Sequence, residues 1–122
     1  MSRLEMLIGG TPVQVEWEEN DSVYALEEKA GHGDVIVHTE KYGGFEQVGA
    51  LGFLLPSHDT QIVTDAGDIM LYCGNQIVVF YGSNSWAYTR LGRITDRNRQ
   101  ELKELLGNRN TVITIKTGKE EV

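Results

Sequence analysis

Apolar and polar positions alternate along most of this chain. Leu4, Met6 and Ile8 flank Glu5, and Val13, Val15 and Trp17 alternate with Gln14, Glu16 and Glu18. A period of two is the mark of a strand with one buried face. Gly9-Gly10 between these runs predicts a hairpin, and Pro12 is tolerated at a strand start, where a missing N–H costs little. The block 67–94 carries the strongest signal. Residues 69–72 and 76–81 are rich in β-branched and aromatic side chains, and Gly74-Asn75 between them reads as a tight turn. Ile77-Val78-Val79-Phe80 is apolar on both faces, which predicts a strand in the middle of the core.

Two stretches show helical spacing instead. Asn20 and Asp21 offer an N-cap for a helix over 22–29, with Val23, Leu26 and Ala30 inward and Glu27 and Glu28 outward. Asp96 is expected to cap a second helix over 97–106, buried through Leu102, Leu105 and Leu106 and stopped by Gly107-Asn108 in the left-handed region. Strands are expected over 35–41, 45–50, 88–94 and 111–116, with Tyr42-Gly43-Gly44 as a turn. Residues 51–65, around Pro56, read as an irregular apolar connection, and 82–88 as an aromatic loop. The order is then ββαββ-loop-βββαβ. Eight strands and two short helices predict a mainly β fold, a closed eight-stranded β-barrel with capping α-helices, since closure removes exposed strand edges. The barrel is expected to be a single domain over 1–116, followed by a polar tail over 117–122.

Composition narrows the functional classes. The chain has 122 residues, 40% hydrophobic and 24% charged, which suits one domain with one core. No apolar run reaches the roughly 18 residues needed to span a bilayer, and the start is too polar for a signal peptide. The single cysteine, Cys73, excludes an intramolecular disulfide and suits a reducing cytoplasm. A net charge of −7 argues against nucleic acid or an anionic membrane as partner. The charge is uneven: residues 1–61 sum to −8, and residues 62–122 sum to +1 with arginines at 90, 93, 97 and 99.

Few residue groupings suggest chemistry. His32, His38 and His58 with Asp34 and Asp59 lack the spacing of a compact metal site, so no metal or other cofactor is implied. Ser57-His58-Asp59 sets the three triad residue types side by side, but neighbours on an extended chain point to opposite faces and cannot form a triad. Cys73 beside a turn reads as a turn or packing residue. Gly9-Gly10 and Gly43-Gly44 open no helix and read as turns, not phosphate loops. The stretch Gly82-Ser83-Asn84-Ser85-Trp86-Ala87-Tyr88 combines hydrogen-bonding residues with two amphipathic aromatics, as binding surfaces do. Trp86 then either plugs a barrel end or lines a pocket with Phe80, Tyr88 and Arg90, with Glu46 and Gln47 opposite.

The element order, together with Tyr42-Gly43-Gly44-Phe45-Glu46-Gln47-Val48-Gly49, Leu54-Leu55-Pro56, Gly67-Asp68-Ile69, 74–82 and 88–94, resembles the small bacterial cyclophilin-like proteins. The resemblance implies an eight-stranded barrel with two helices; most members have no established activity, and some occur near or fused to flavodoxin-like proteins. True cyclophilins are peptidyl-prolyl isomerases whose catalytic arginine lies on the third strand in a phenylalanine-histidine-arginine motif. This chain has Val37-His38-Thr39-Glu40 there, and its only arginine before Arg90 is Arg3. Gln47 corresponds by element order to the family's fourth-strand glutamine, Phe80 to its sixth-strand aromatic, and Trp86 or Tyr88 to its aromatic wall. Without the guanidinium most electrostatic help to prolyl rotation is missing. The expectation is a non-enzymatic protein that binds a small molecule or short peptide in a shallow aromatic groove, with Arg90 holding a carboxylate or carbonyl and Gln47 a backbone amide. The alternatives are a weak peptidyl-prolyl isomerase and an accessory interaction module for a redox, flavodoxin-like protein partner.

Overall fold

The computed structural model describes residues 4–118, with eleven strands and two helices among them. In chain order these are β1 (Leu4–Ile8), β2 (Thr11–Val13), β3 (Val15–Trp17), α1 (Asp21–Gly31), β4 (Val35–His38), β5 (Glu40–Tyr42) and β6 (Glu46–Ala50). They continue with β7 (Thr60–Val63), β8 (Asp68–Tyr72), β9 (Gln76–Phe80), β10 (Ser85–Ile94), α2 (Arg99–Leu106) and β11 (Val112–Thr117). Residues 119–122 of the expected tail lie outside the described residues, and Thr117 still belongs to β11.

The closed eight-stranded barrel does not form. The strands make two antiparallel sheets, β2-β1-β11-β4 and β3-β10-β8-β9-β6-β5, with β7 added alongside β10. The reason lies at two positions where one alternating run becomes two strands in different sheets. At Gln14, between β2 and β3, the backbone N–H donates to Asp96 Oδ1 and the carbonyl accepts from the Thr95 N–H. At Thr39, between β4 and β5, the N–H donates to the Thr111 carbonyl at 2.9 Å. At both points the chain leaves one sheet for the other, and among the described residues no strand pair joins the two sheets, so the ring is not sealed.

The inner faces of the two sheets share one core. Met6, Ile8, Val37, Ile113 and Ile115 of the smaller sheet meet Ile69, Leu71, Ile77, Val79 and Leu91 of the larger, with Val23 and Leu26 of α1 and Leu102 and Leu106 of α2. The central run of β9 is fully buried, flanked by β8 and β6. A second, smaller cluster of Met70, Val78, Phe80 and Tyr88 covers the other face of the larger sheet. That sheet is therefore apolar on both sides, as 77–80 requires. The sheets come close where a side chain is missing: a Cβ on Gly49 of β6 would lie 2.7 Å from the His38 carbonyl oxygen.

Local details depart from the sequence reading in four places. The connection 51–65 contains β7, which pairs with 85–88, so the aromatic loop shortens to 81–84 and Trp86 and Tyr88 stand on a strand. Leu51 and Leu55 of that connection are core residues. The turn after β8 is carried by Cys73 and Gly74, both at positive φ, rather than by Gly74-Asn75. The α2 N-cap is Asn98, in a reciprocal capping box with Glu101, not Asp96, and Gly107 ends the helix in the right-handed region at φ −92°. The first helix forms with Asn20 as its cap, and Ser22, Val23, Leu26 and Ala30 are buried. Gly9-Gly10 is the expected two-residue hairpin, with both residues at positive φ. No helix among the described residues is long and apolar enough to cross a membrane.

Candidate functional site

On β6 the residues alternate between the two faces of the larger sheet. Gln47 points into the main core, while Glu46 and Val48 point to the opposite face. Register carries that second face across the sheet, with Tyr42 beside Glu46, Glu46 beside Phe80, Val48 beside Val78, and Tyr72 beside Gln76. Above this row lies a groove of about 790 Å³. Tyr42, Phe45, Tyr72, Trp86 and Tyr88 supply its rings, Val48 and Val78 its aliphatic surface, and Glu46, Gln76 and Asn84 its polar groups. Phe80 lies beneath, fully buried, stacked on Phe45 at 6.4 Å and edge-on to Tyr88 at 5.6 Å. Tyr72 meets Tyr88 edge-on at 6.1 Å. Such offset and edge-to-face pairs fix ring orientation and leave the remaining faces open to a ligand.

The turn before β6 shapes the rim. Gly43 and Gly44 both take positive φ, and a Cβ on Gly43 would collide with the Phe45 ring, 2.1 Å from its nearest atom. Only glycine at 43 lets Phe45 fold back over its own turn and reach Phe80. Trp86 stands at the outer edge, 55% exposed, paired across β7 with Ile62. It lines the groove and does not plug an end of the fold.

Glu46 is the only charged side chain among the lining residues and is just 6% exposed. Burial lifts its carboxyl from the ordinary 4.5 to about 7, and a hydrogen bond from the Tyr88 hydroxyl offsets part of that rise. Asn84 Nδ2 in turn donates to the Tyr88 hydroxyl at 2.9 Å. Burial, chiefly, also raises the Tyr88 phenol, against the Asn84 bond and with a smaller push from the Glu46 charge. The result is a polar chain, Asn84 to Tyr88 to Glu46, set into an aromatic wall. Among the described residues the groove lining holds no Ser, Cys, His, Lys or Arg.

Of the six site residues expected from sequence, the structure brings four together. Glu46, Trp86 and Tyr88 line the groove and Phe80 floors it. Gln47 is excluded. It is fully buried, accepts from the Thr39 hydroxyl at 2.9 Å and donates to the Leu106 and Arg109 carbonyls, each at 2.7 Å. It therefore satisfies the open C-terminal end of α2 rather than a ligand. Arg90 is excluded for a different reason. Its guanidinium lies 3.1 Å from the buried carboxylate of Asp68, with Arg93 at 3.6 Å from the same oxygen. The expected carboxylate partner is intramolecular. Asn84 belongs to the 82–88 stretch read as a binding surface, whereas Tyr42, Phe45, Tyr72 and Gln76 were not anticipated as site residues. For Tyr42, Tyr72 and Gln76 the signal was parity with Glu46 across the sheet, which becomes readable only once strand register is known.

The other groupings resolve simply. Asp59 of Ser57-His58-Asp59 accepts from the Thr89 hydroxyl at 2.6 Å and the Cys73 N–H at 3.1 Å, pinning the connection to the β8–β9 turn. Cys73 is exposed in that turn. Among the described residues no three His, Cys, Asp or Glu side chains converge as a metal site would require. No curated protein matches the chain. The cyclophilin-like family model matches residues 6–116, nearly the whole described structure, and the chain belongs to the cyclophilin-like family.

Proposed function

We propose that this protein is a non-enzymatic binding module that takes a small molecule or a short peptide segment in the Glu46–Trp86 groove. One observation carries the reading: a concave, mostly aromatic surface of about 790 Å³ converges on a few buried polar groups. That is the usual make-up of a ligand site, whose typical volume runs from about 300 to 1,000 Å³. An exposed indole and the exposed Tyr42 phenol at the rim offer large contact area at small cost in rotamer entropy. The isomerase alternative gains no support from the geometry. Arg90 and Arg93 are held against Asp68, and no arginine lines the groove. Among the described residues no particular surface favours the accessory-module alternative.

Ligand-observed NMR against a mixed panel of amines, carboxylates, neutral aromatics and short peptides tests the reading. Binders are expected, and Trp86→Ala is expected to weaken them at least fivefold without altering the fold, since the side chain is largely exposed. A panel without a single binder, or binders indifferent to Trp86→Ala, defeats the proposal. A protease-coupled X-Pro assay separates the isomerase: the rate is expected to stay at the uncatalysed tens of seconds.

A further inference from the structure

The groove has a marked electrostatic sense. Five aromatic rings line it, and an aromatic face is negative through the ring quadrupole. Its only formal charge is a carboxyl, and no lysine, arginine or histidine is among its lining residues. The arginines of the second half of the chain are engaged elsewhere: Arg90 and Arg93 share the carboxylate of Asp68, Arg99 pairs with Asp65 at 2.6 Å, and Arg97 with Asp96 at 2.8 Å. The β5 and β6 side of the groove belongs to the half of the chain that sums to −8, and Glu40 stands exposed on β5 opposite Val48. An anion would meet the Glu46 carboxylate with no lining cation, among the described residues, to offset it. A neutral ligand would leave the Glu46 carboxyl buried with the Tyr88 hydroxyl as its partner and no compensating charge.

We infer that the groove selects an organic cation, a quaternary or protonated amine with an apolar body, whose charged head sits against Glu46 within the ring of aromatic faces. The inference rests on the reading of this groove as a binding site and adds the chemical class of its ligand. The apolar body lies over Val48 and Val78, while Trp86 and Tyr42 close around the outer part. Binding is linked to ionisation, because the cation favours the carboxylate form of Glu46. The groups facing Glu46 are the phenols of Tyr42 from β5, Tyr88 from β10 and Tyr81 just after β9. Burial raises the Tyr88 and Tyr81 phenols above their ordinary 10.0, so the pH response is assigned to Glu46.

The test uses benzyltrimethylammonium, whose charge does not titrate, and its uncharged carbon analogue neopentylbenzene, with titrations followed by amide NMR shifts of the whole chain. The cation is expected to bind at least tenfold tighter than the analogue at pH 8, and up to about tenfold tighter at pH 8 than at pH 6. Glu46→Gln, close to isosteric, should remove both the preference and the pH dependence. Trp86→Leu, at an exposed position, should weaken the cation more than the analogue. Equal binding of the two probes, or a preference that survives Glu46→Gln, overturns the inference and leaves the binding site standing. If neither probe binds while carboxylates or neutral aromatics do, the ligand class is wrong but the groove is right. If no compound binds, both readings fall.

Discussion

Replacing Glu46 by glutamine should make this protein more stable above neutral pH. In the folded chain the carboxyl titrates near 7, against an ordinary 4.5. The folded state therefore holds the proton more tightly than the unfolded state, and stability falls as pH rises through the interval between those values. The stabilisation is fully present below pH 4.5, begins to decline above it, and is gone once pH passes well beyond 7. At about 1.36 kcal/mol per pKa unit, the full decline is of order 3 kcal/mol. That is a large share of the about 5–15 kcal/mol that holds a typical domain together. Glutamine keeps the shape and an acceptor for the Tyr88 hydroxyl but has no proton to lose. Urea unfolding of both proteins from pH 4 to 8.5 measures the difference directly, and the comparison cancels the titration of every other group. The two should lie within about 1 kcal/mol of each other at pH 4.5 and diverge by roughly 3 kcal/mol at pH 8, with the variant the more stable. Parallel stability curves across that interval would show that Glu46 is not desolvated in the folded chain.

Three further substitutions separate architecture from site. Gln47→Met should cost about 2–4 kcal/mol in denaturant unfolding, because it takes the amide donor from the Leu106 and Arg109 carbonyls while the Thr39 hydroxyl keeps only the Thr111 carbonyl; a loss below 1 kcal/mol would contradict the assigned hydrogen bonds. Arg90→Ala should lower stability by about 1–3 kcal/mol through the weakened hold on buried Asp68, while leaving binding in the groove within twofold. A large loss of affinity with unchanged stability would reverse that assignment. Gly49→Ala should cost at least about 2 kcal/mol, since the added methyl meets the His38 carbonyl and Val37 Cγ1, both at 2.7 Å; calorimetry would reveal a tolerant site as an unchanged melting temperature.

Much of the core was legible in the order of residues, and much of the architecture was not. Alternation marked Leu4, Met6, Ile8, Val13, Ile113 and Ile115 for burial, and all are buried. The doubly apolar run 77–80 was legible for the same reason. Alternation is local, however, and sheet membership is not. Residues 35–41 read as one strand, yet Thr39 pairs its N–H with Thr111, a residue 72 positions away, and the chain changes sheets there. No pattern within seven residues encodes that event. The site shows the same limit. Glu46 and Gln47 are neighbours of similar size, and alternation says only that they face opposite ways. Which of them faces the groove depends on where α2 ends, because the carbonyls of Leu106 and Arg109 claim the amide of Gln47. Arg90 shows it again: a basic side chain beside an aromatic stretch suggested an anion receptor until Asp68 proved to be its neighbour.

The crossings at Gln14 and Thr39 also bear on how the molecule comes apart. The smaller sheet is stitched from distant stretches of chain, β1 to β11 and β11 to β4; the larger, although β7–β10 pair within the continuous segment 60–94, is joined to it through one shared core. Amide exchange at the most protected positions, Ile77 in one layer and Ile113 in the other, should then report a single opening free energy equal to that of global unfolding. A compound lodged against Glu46 would slow exchange in the opposite layer by the same factor, though it touches nothing there.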